Sequence, residues 1–169
     1  MTKTTHLIGG LTACGILLVS ARDGLDLTPS VAVSCAAAVM VGSLFPDVDI
    51  PTSKAGHLVK PASTMINAAC GHRGVFHAPL FYLVTILVGS AVWPAWSMLF
   101  YAFGIGVASH LILDMLNRNG IPLFWPVKKR ISIASVSVGG FVEWLIRLAL
   151  MFASILMVGF YLRLFPLFG

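Results

Sequence analysis

SMLFYAFGIGVASHLILDML, residues 97–116, contains one acid and one histidine, Asp114 and His110, and both lie in its last seven residues. An apolar run of this length matches the roughly 20 residues a helix needs to cross a hydrocarbon layer about 30 Å thick. His110 and Asp114 are four apart, so a helix sets them on one face as neighbours at about 5–6 Å between Cβ atoms. His110 lies six residues inside the end of the stretch, roughly 9 Å at 1.5 Å per residue. An ionisable side chain at that depth is costly without a partner, so this pair points to function.

The rest of the chain fits the same reading. Of 169 residues, 58% are hydrophobic and 10% charged, against about 25% charged in a soluble domain. That excludes an ordinary globule, a disordered chain and a coiled coil. The expectation is an all-α polytopic membrane protein, a single domain over residues 1–169 with about five transmembrane helices. The other spans run over Thr5–Ala21, Pro29–Phe45, Val75–Val92 and Phe141–Leu164. Trp93-Pro94-Ala95-Trp96 makes a short interfacial turn between the third and fourth. Ile121–Val138, half apolar and holding Lys128-Lys129-Arg130, reads as an interfacial or re-entrant segment on the cytoplasmic side. Lys3, the short apolar run and Val19-Ser20-Ala21 also fit a cleaved signal peptide, but His6 has a use in the polar cluster described next, so the segment is kept.

With the N-terminus inside, all but Arg22 and Arg163 of the eleven Lys and Arg face the cytoplasm, a positive-inside pattern. The net charge of +5 then reads as a topology signal with affinity for anionic lipid head groups rather than nucleic acid. Cys14 and Cys35 lie in apolar runs and read as packing residues, and with Cys70 they form no metal or redox spacing.

The same topology gathers the ionisable residues at one end. His6 opens the first span, Asp47 and Asp49 end the second, His72 and His77 precede the third, and His110 and Asp114 lie near the end of the fourth. Asp47 and Asp49 sit in a turn bounded by Pro46 and Pro51, able to aim two carboxylates at one cation or bridge two. His nitrogen with Asp oxygen suits zinc first, then manganese or iron, and seven such residues suffice for two ions or more. Taken singly, His6 is an interface residue, HxxxD is common by chance, and Glu143 with Arg147 is an i,i+4 helix pair. His57 reads as solvated. Four spans collecting these groups at one face outweigh the separate explanations.

Five motifs in order carry a resemblance: Thr5-His6-x-x-Gly9, Leu44-Phe45-Pro46-Asp47-Val48-Asp49, His72-Arg73-x-x-x-His77, Ser109-His110-Leu111-x-Leu113-Asp114 and Gly120-Ile121-Pro122-Leu123-x-Trp125-Pro126. Together they resemble the YdjM-type family, bacterial inner-membrane proteins described as metal-dependent hydrolases. The resemblance implies a membrane-embedded hydrolase with metal ligands at His6, Asp47, Asp49, His72, His77, His110 and Asp114. A more distant similarity to the zinc phospholipase C and P1 nuclease group ranks phosphoesters first among substrates. Phe45 stands where the family often has Leu, and Asn117 and Asn119 where Thr is frequent.

The functional expectation is therefore hydrolysis of a lipid or lipid-linked phosphoester at the cytoplasmic face. Arg73 would hold a phosphate oxygen, and Glu143 or an Asp would act as general base. The alternatives are a divalent-metal transporter and a structural or regulatory membrane protein stapled by metal.

Overall fold

The computed structural model describes residues 1–22, 28–49, 64, 74–127 and 129–164. Five α-helices have described bounds: α1 Lys3–Ala21, α2 Pro29–Leu44, α3 Pro79–Val92, α4 Ser97–Met115 and α5 Phe141–Tyr161. Among the described residues there is no named strand, only two isolated β-bridges. Lys3–Ala21, Pro29–Asp49, Pro94–Met115 and Phe141–Tyr161 are long and apolar enough to cross a membrane. The protein is all-helical and polytopic.

The third span departs most from its expected bounds. Val75–His77 forms a 3-10 turn, Ala78 is extended with φ −95° and ψ 117°, and α3 begins only at Pro79. Proline disfavours the helical conformation in the residue before it and favours the first helical position itself. The result is a helix of 14 residues, about 21 Å long, shorter than the hydrocarbon core.

The burial pattern is inverted relative to a soluble protein. His77, His110 and Glu143 are fully buried, whereas Val33, Phe152 and Ile155 are about two-thirds exposed. Hydrocarbon solvates the apolar side chains, so the interior can be given to polar groups that satisfy one another. Cys14 and Cys35 are unoxidised members of an apolar cluster with Val39 and Ala102.

Helices α2 and α4 approach closely. A Cβ at Gly106 would meet the Val39 carbonyl oxygen at 2.0 Å, and one at Gly42 the Phe103 carbonyl oxygen at 2.2 Å. Glycine on both sides lets the two backbones touch, a common device where helices pack within lipid. Helices α1 and α5 run parallel, tied at three heights. Thr2 and Thr5 bond Glu143, Thr12 bonds the Leu150 carbonyl and Ser154, and Arg22 bonds the Phe160 carbonyl.

Between α4 and α5 the chain folds back on the end of α4. Ile121 and Ile131 exchange both backbone hydrogen bonds, and the Val136 amide donates to the Leu116 carbonyl. Ile121 is buried, whereas Phe124 and Val127 are more than half exposed. This non-helical segment satisfies part of its backbone on itself and lays apolar side chains outward, as an interfacial segment requires.

Candidate metal centre

Four segments deliver the buried polar groups to one place. His6 is on the first turn of α1. Asp47 and Asp49 lie in the 3-10 turn Phe45–Asp49 that ends α2. His77 ends the 3-10 turn ahead of α3, and His110 and Asp114 share a face of α4. Aromatic packing holds the two turns together, with Phe45 at 6.1 Å from Phe76, 6.4 Å from Tyr82 and 5.3 Å from Phe103 between ring centroids. The Tyr82 hydroxyl donates to the Phe76 carbonyl at 2.9 Å.

Within this frame the ligand atoms converge. His6 Nε2 lies 3.3 Å from Asp114 Oδ1. His77 Nε2 is 3.6 Å and His110 Nε2 3.9 Å from Asp114 Oδ2. Asp47 Oδ1 is 3.9 Å from His77 Nε2 and 3.7 Å from His110 Nε2. Two sets of three, His6 with Asp47 and His110, and His77 with His110 and Asp114, each have ligand atoms within 4.8 Å of one another. The members are fully buried except Asp47, whose side chain is 19% exposed. Asp47 therefore marks the opening of the cluster.

Two of the imidazoles are oriented from behind. His110 Nδ1 donates to the Ser43 carbonyl at 2.8 Å, which leaves Nε2 with its lone pair facing the carboxylates. That bond depends on the close α2–α4 contact at Gly106. His77 Nδ1 faces Asp49 Oδ2 at 3.4 Å, turning His77 Nε2 toward Asp47 and Asp114. A partner on the far nitrogen is the usual way a ligating histidine is aimed. Asp47 and Asp49 thus take different places, because two steps of a 3-10 turn rotate side chains by about 240°. Asp47 faces the cluster and Asp49 stands behind His77.

The donor set fits a metal ion. His110 Nε2 and His6 Nδ1 are buried without a hydrogen-bond partner, and such orphans are rare unless they have a functional role or an unseen ligand. Imidazole nitrogen with carboxylate oxygen is a zinc, manganese or iron set. The His6 and His110 rings stack at 3.7 Å between centroids and 11° between planes.

Glu143 sits beside the cluster in another role. Its Oε1 accepts from the Thr2 amide at 2.6 Å, the Thr2 hydroxyl at 2.7 Å and the Thr5 hydroxyl at 2.6 Å, and its Oε2 accepts from the Gly139 amide at 2.7 Å. These bonds fasten the start of α1, and with it His6, to α5. The Met1 amino group in turn contacts Asp114. Thr2, Thr5 and the Ser43 carbonyl are site residues that sequence reasoning missed, and only the Thr5-His6 adjacency hinted at them. His72 and Arg73, expected as a ligand and a phosphate contact, lie outside the described residues.

Comparison with known proteins follows the same line. Residues 1–166 match the family described as YdjM inner membrane protein. The chain is 34% identical over 155 residues to YvsG of Bacillus subtilis (strain 168), covering 91% of this chain and 92% of that protein. It is 30% identical over 142 residues to the inner membrane protein YdjM of Escherichia coli (strain K12), covering 77% of this chain and 68% of that protein. The match to YdjM of Shigella flexneri has the same identity and coverage. No solved structure matches the chain. With a family match over nearly its full length, the chain belongs to the YdjM inner membrane protein family.

Proposed function

We propose that the protein is a membrane-embedded metal-dependent hydrolase that cleaves a phosphoester of a lipid or lipid-linked substrate at the cytoplasmic face of the inner membrane, with its N-terminus inside. The observation that carries this reading is the convergence of His6, Asp47, His77, His110 and Asp114 from four segments, with ligand atoms within 4.8 Å in each set of three. Ions held there, zinc first and two in number, would lower the pKa of water toward about 7 and neutralise phosphoryl charge.

The residues divide the remaining work. Ser43 and Asp49 fix the His110 and His77 rings, Glu143 fixes the strand of chain that carries His6, and Asp47 meets incoming water and substrate at the opening. Hydrolysis joins a water oxygen to phosphorus and breaks the ester P–O bond. One proton of that water ends on the leaving alcohol oxygen. A cluster just inside the helix ends lies at the level of lipid phosphates, which supports a lipid substrate over a soluble one.

The transporter reading has less support. Conduction needs polar groups along the path, yet Thr12 and Ser154, midway along α1 and α5, are engaged with each other and with the Leu150 carbonyl. The test is turnover of phosphate-ester lipids by purified protein in nanodiscs supplied with zinc or manganese. Release of phosphate or a phosphorylated head group, lost in Asp47→Asn and His110→Ala, supports the reading. A metal-loaded wild type that cleaves no phosphoester, or saturable metal flux in liposomes lost in His110→Ala, refutes it.

A further inference from the structure

We infer that Arg147 is an anion-binding residue that holds a phosphoryl oxygen of the substrate, an inference that rests on the phosphoester reading above. The sequence offers a simpler role, an i,i+4 pair with Glu143. The structure does not form that pair. Both Glu143 oxygens are taken by Thr2, Thr5 and Gly139. The contact Arg147 makes is from Nη2 to the Thr2 hydroxyl at 3.3 Å, and its Nε is buried with no partner. Among the described residues no carboxylate bonds this guanidinium directly, and Glu143 Oε1 is reached only through the Thr2 hydroxyl.

A charged group inside a span with no counter-charge bonded directly to it is a functional-site hypothesis by default. Arg147 lies six residues into α5, about 9 Å from its start. Long side chains on a helix lean toward its N-terminus, so the guanidinium returns to the level where lipid phosphates lie. Its position relative to the metal centre is set by Thr2. That residue touches both Arg147 and Glu143, and its chain neighbour Met1 contacts Asp114. The planar fork therefore stands two residues, Thr2 and Met1, away from a cluster carboxylate, half-buried and with donors to spare. A guanidinium in that state recognises a tetrahedral oxyanion through paired N–H bonds. The ligand is a phosphate monoester or diester oxygen, supplied by a lipid head group or by free phosphate.

The test measures protection of Arg147 from phenylglyoxal in the purified, metal-loaded full chain, read by mass spectrometry in a detergent without phosphate. The probes are inorganic phosphate, phosphatidate, and diacylglycerol of the same chain length. Inorganic phosphate is expected to slow modification of Arg147. Phosphatidate acting at far lower concentration identifies a lipid source, and phosphatidate no better than inorganic phosphate identifies a free anion. Arg147→Gln is expected to weaken phosphate binding about 10- to 100-fold, with metal content unchanged and Arg147→Lys recovering only part. No protection by either phosphate, or equal protection by diacylglycerol, overturns the inference. Protection without turnover would leave the anion site standing and sink the hydrolase, whereas turnover without protection would do the reverse.

Discussion

Glu143→Ala and Glu143→Gln separate a positioning role from a catalytic one. The carboxylate is fully buried and receives four donors, three on Oε1 and one on Oε2. A hydrogen bond to a charged group contributes about 1.5–3 kcal/mol, and a buried donor left bare costs a similar amount. The effects do not add in full, because the Thr2 and Thr5 hydroxyls are 2.9 Å apart and can bond each other. Alanine should therefore cost about 3–5 kcal/mol, as does breaking a buried charged network from one side. For a chain of this size that is a fall in Tm of about 6–20 °C. Glutamine keeps an oxygen for the three donors from Thr2 and Thr5 and loses only the Gly139 bond, a cost of about 1–2 kcal/mol. Thermal unfolding in detergent, metal content and phosphoester turnover are the assays. The account predicts that Glu143→Ala loses metal along with stability, because His6 is no longer anchored, and that Glu143→Gln keeps most of both and most of the activity. A Glu143→Gln protein with intact Tm and intact metal but turnover lowered about 10²–10⁴-fold, the range for a lost general base, would refute the positioning role.

Gly106→Ala places a methyl 2.0 Å from the Val39 carbonyl oxygen and 2.8 Å from the Ser43 amide nitrogen. The two helices must part, with a loss of about 1–3 kcal/mol seen in Tm and a drop in bound metal as the Ser43–His110 bond stretches. Asp49→Asn removes the charge behind His77 without removing a member of either triad, so metal affinity should fall about 10–100-fold by chelator competition while Tm changes little. Metal occupancy should decline on acidification and recover on raising the pH, since an imidazole binds metal only when neutral.

The five helices and the polar end were legible in the sequence because both follow from residue type. Long apolar runs have one stable form in lipid, and His110 and Asp114 share a face at any helical spacing of four. The late start of α3 was also written there, in Ala78-Pro79, but hydropathy alone ran the span back to Val75. Division of labour within the cluster was not legible. Asp47 and Asp49 look equivalent until a 3-10 turn separates them, and Glu143 looks like a partner for Arg147 until Thr2 and Thr5 arrive from a helix more than 130 residues away in sequence. Backbone carbonyls such as that of Ser43 carry no residue signature, so the bond that aims His110 appears only once α2 and α4 meet at Gly106.

Metal content by elemental analysis of the purified protein tests the central claim most directly. Wild type should hold zinc, or manganese or iron, at about two ions per chain, and His110→Ala and Asp114→Ala should lose them while remaining folded. Wild type that stays metal-free after reconstitution with all three would contradict the account, leaving the buried histidines and aspartates as a hydrogen-bonded lock between helices.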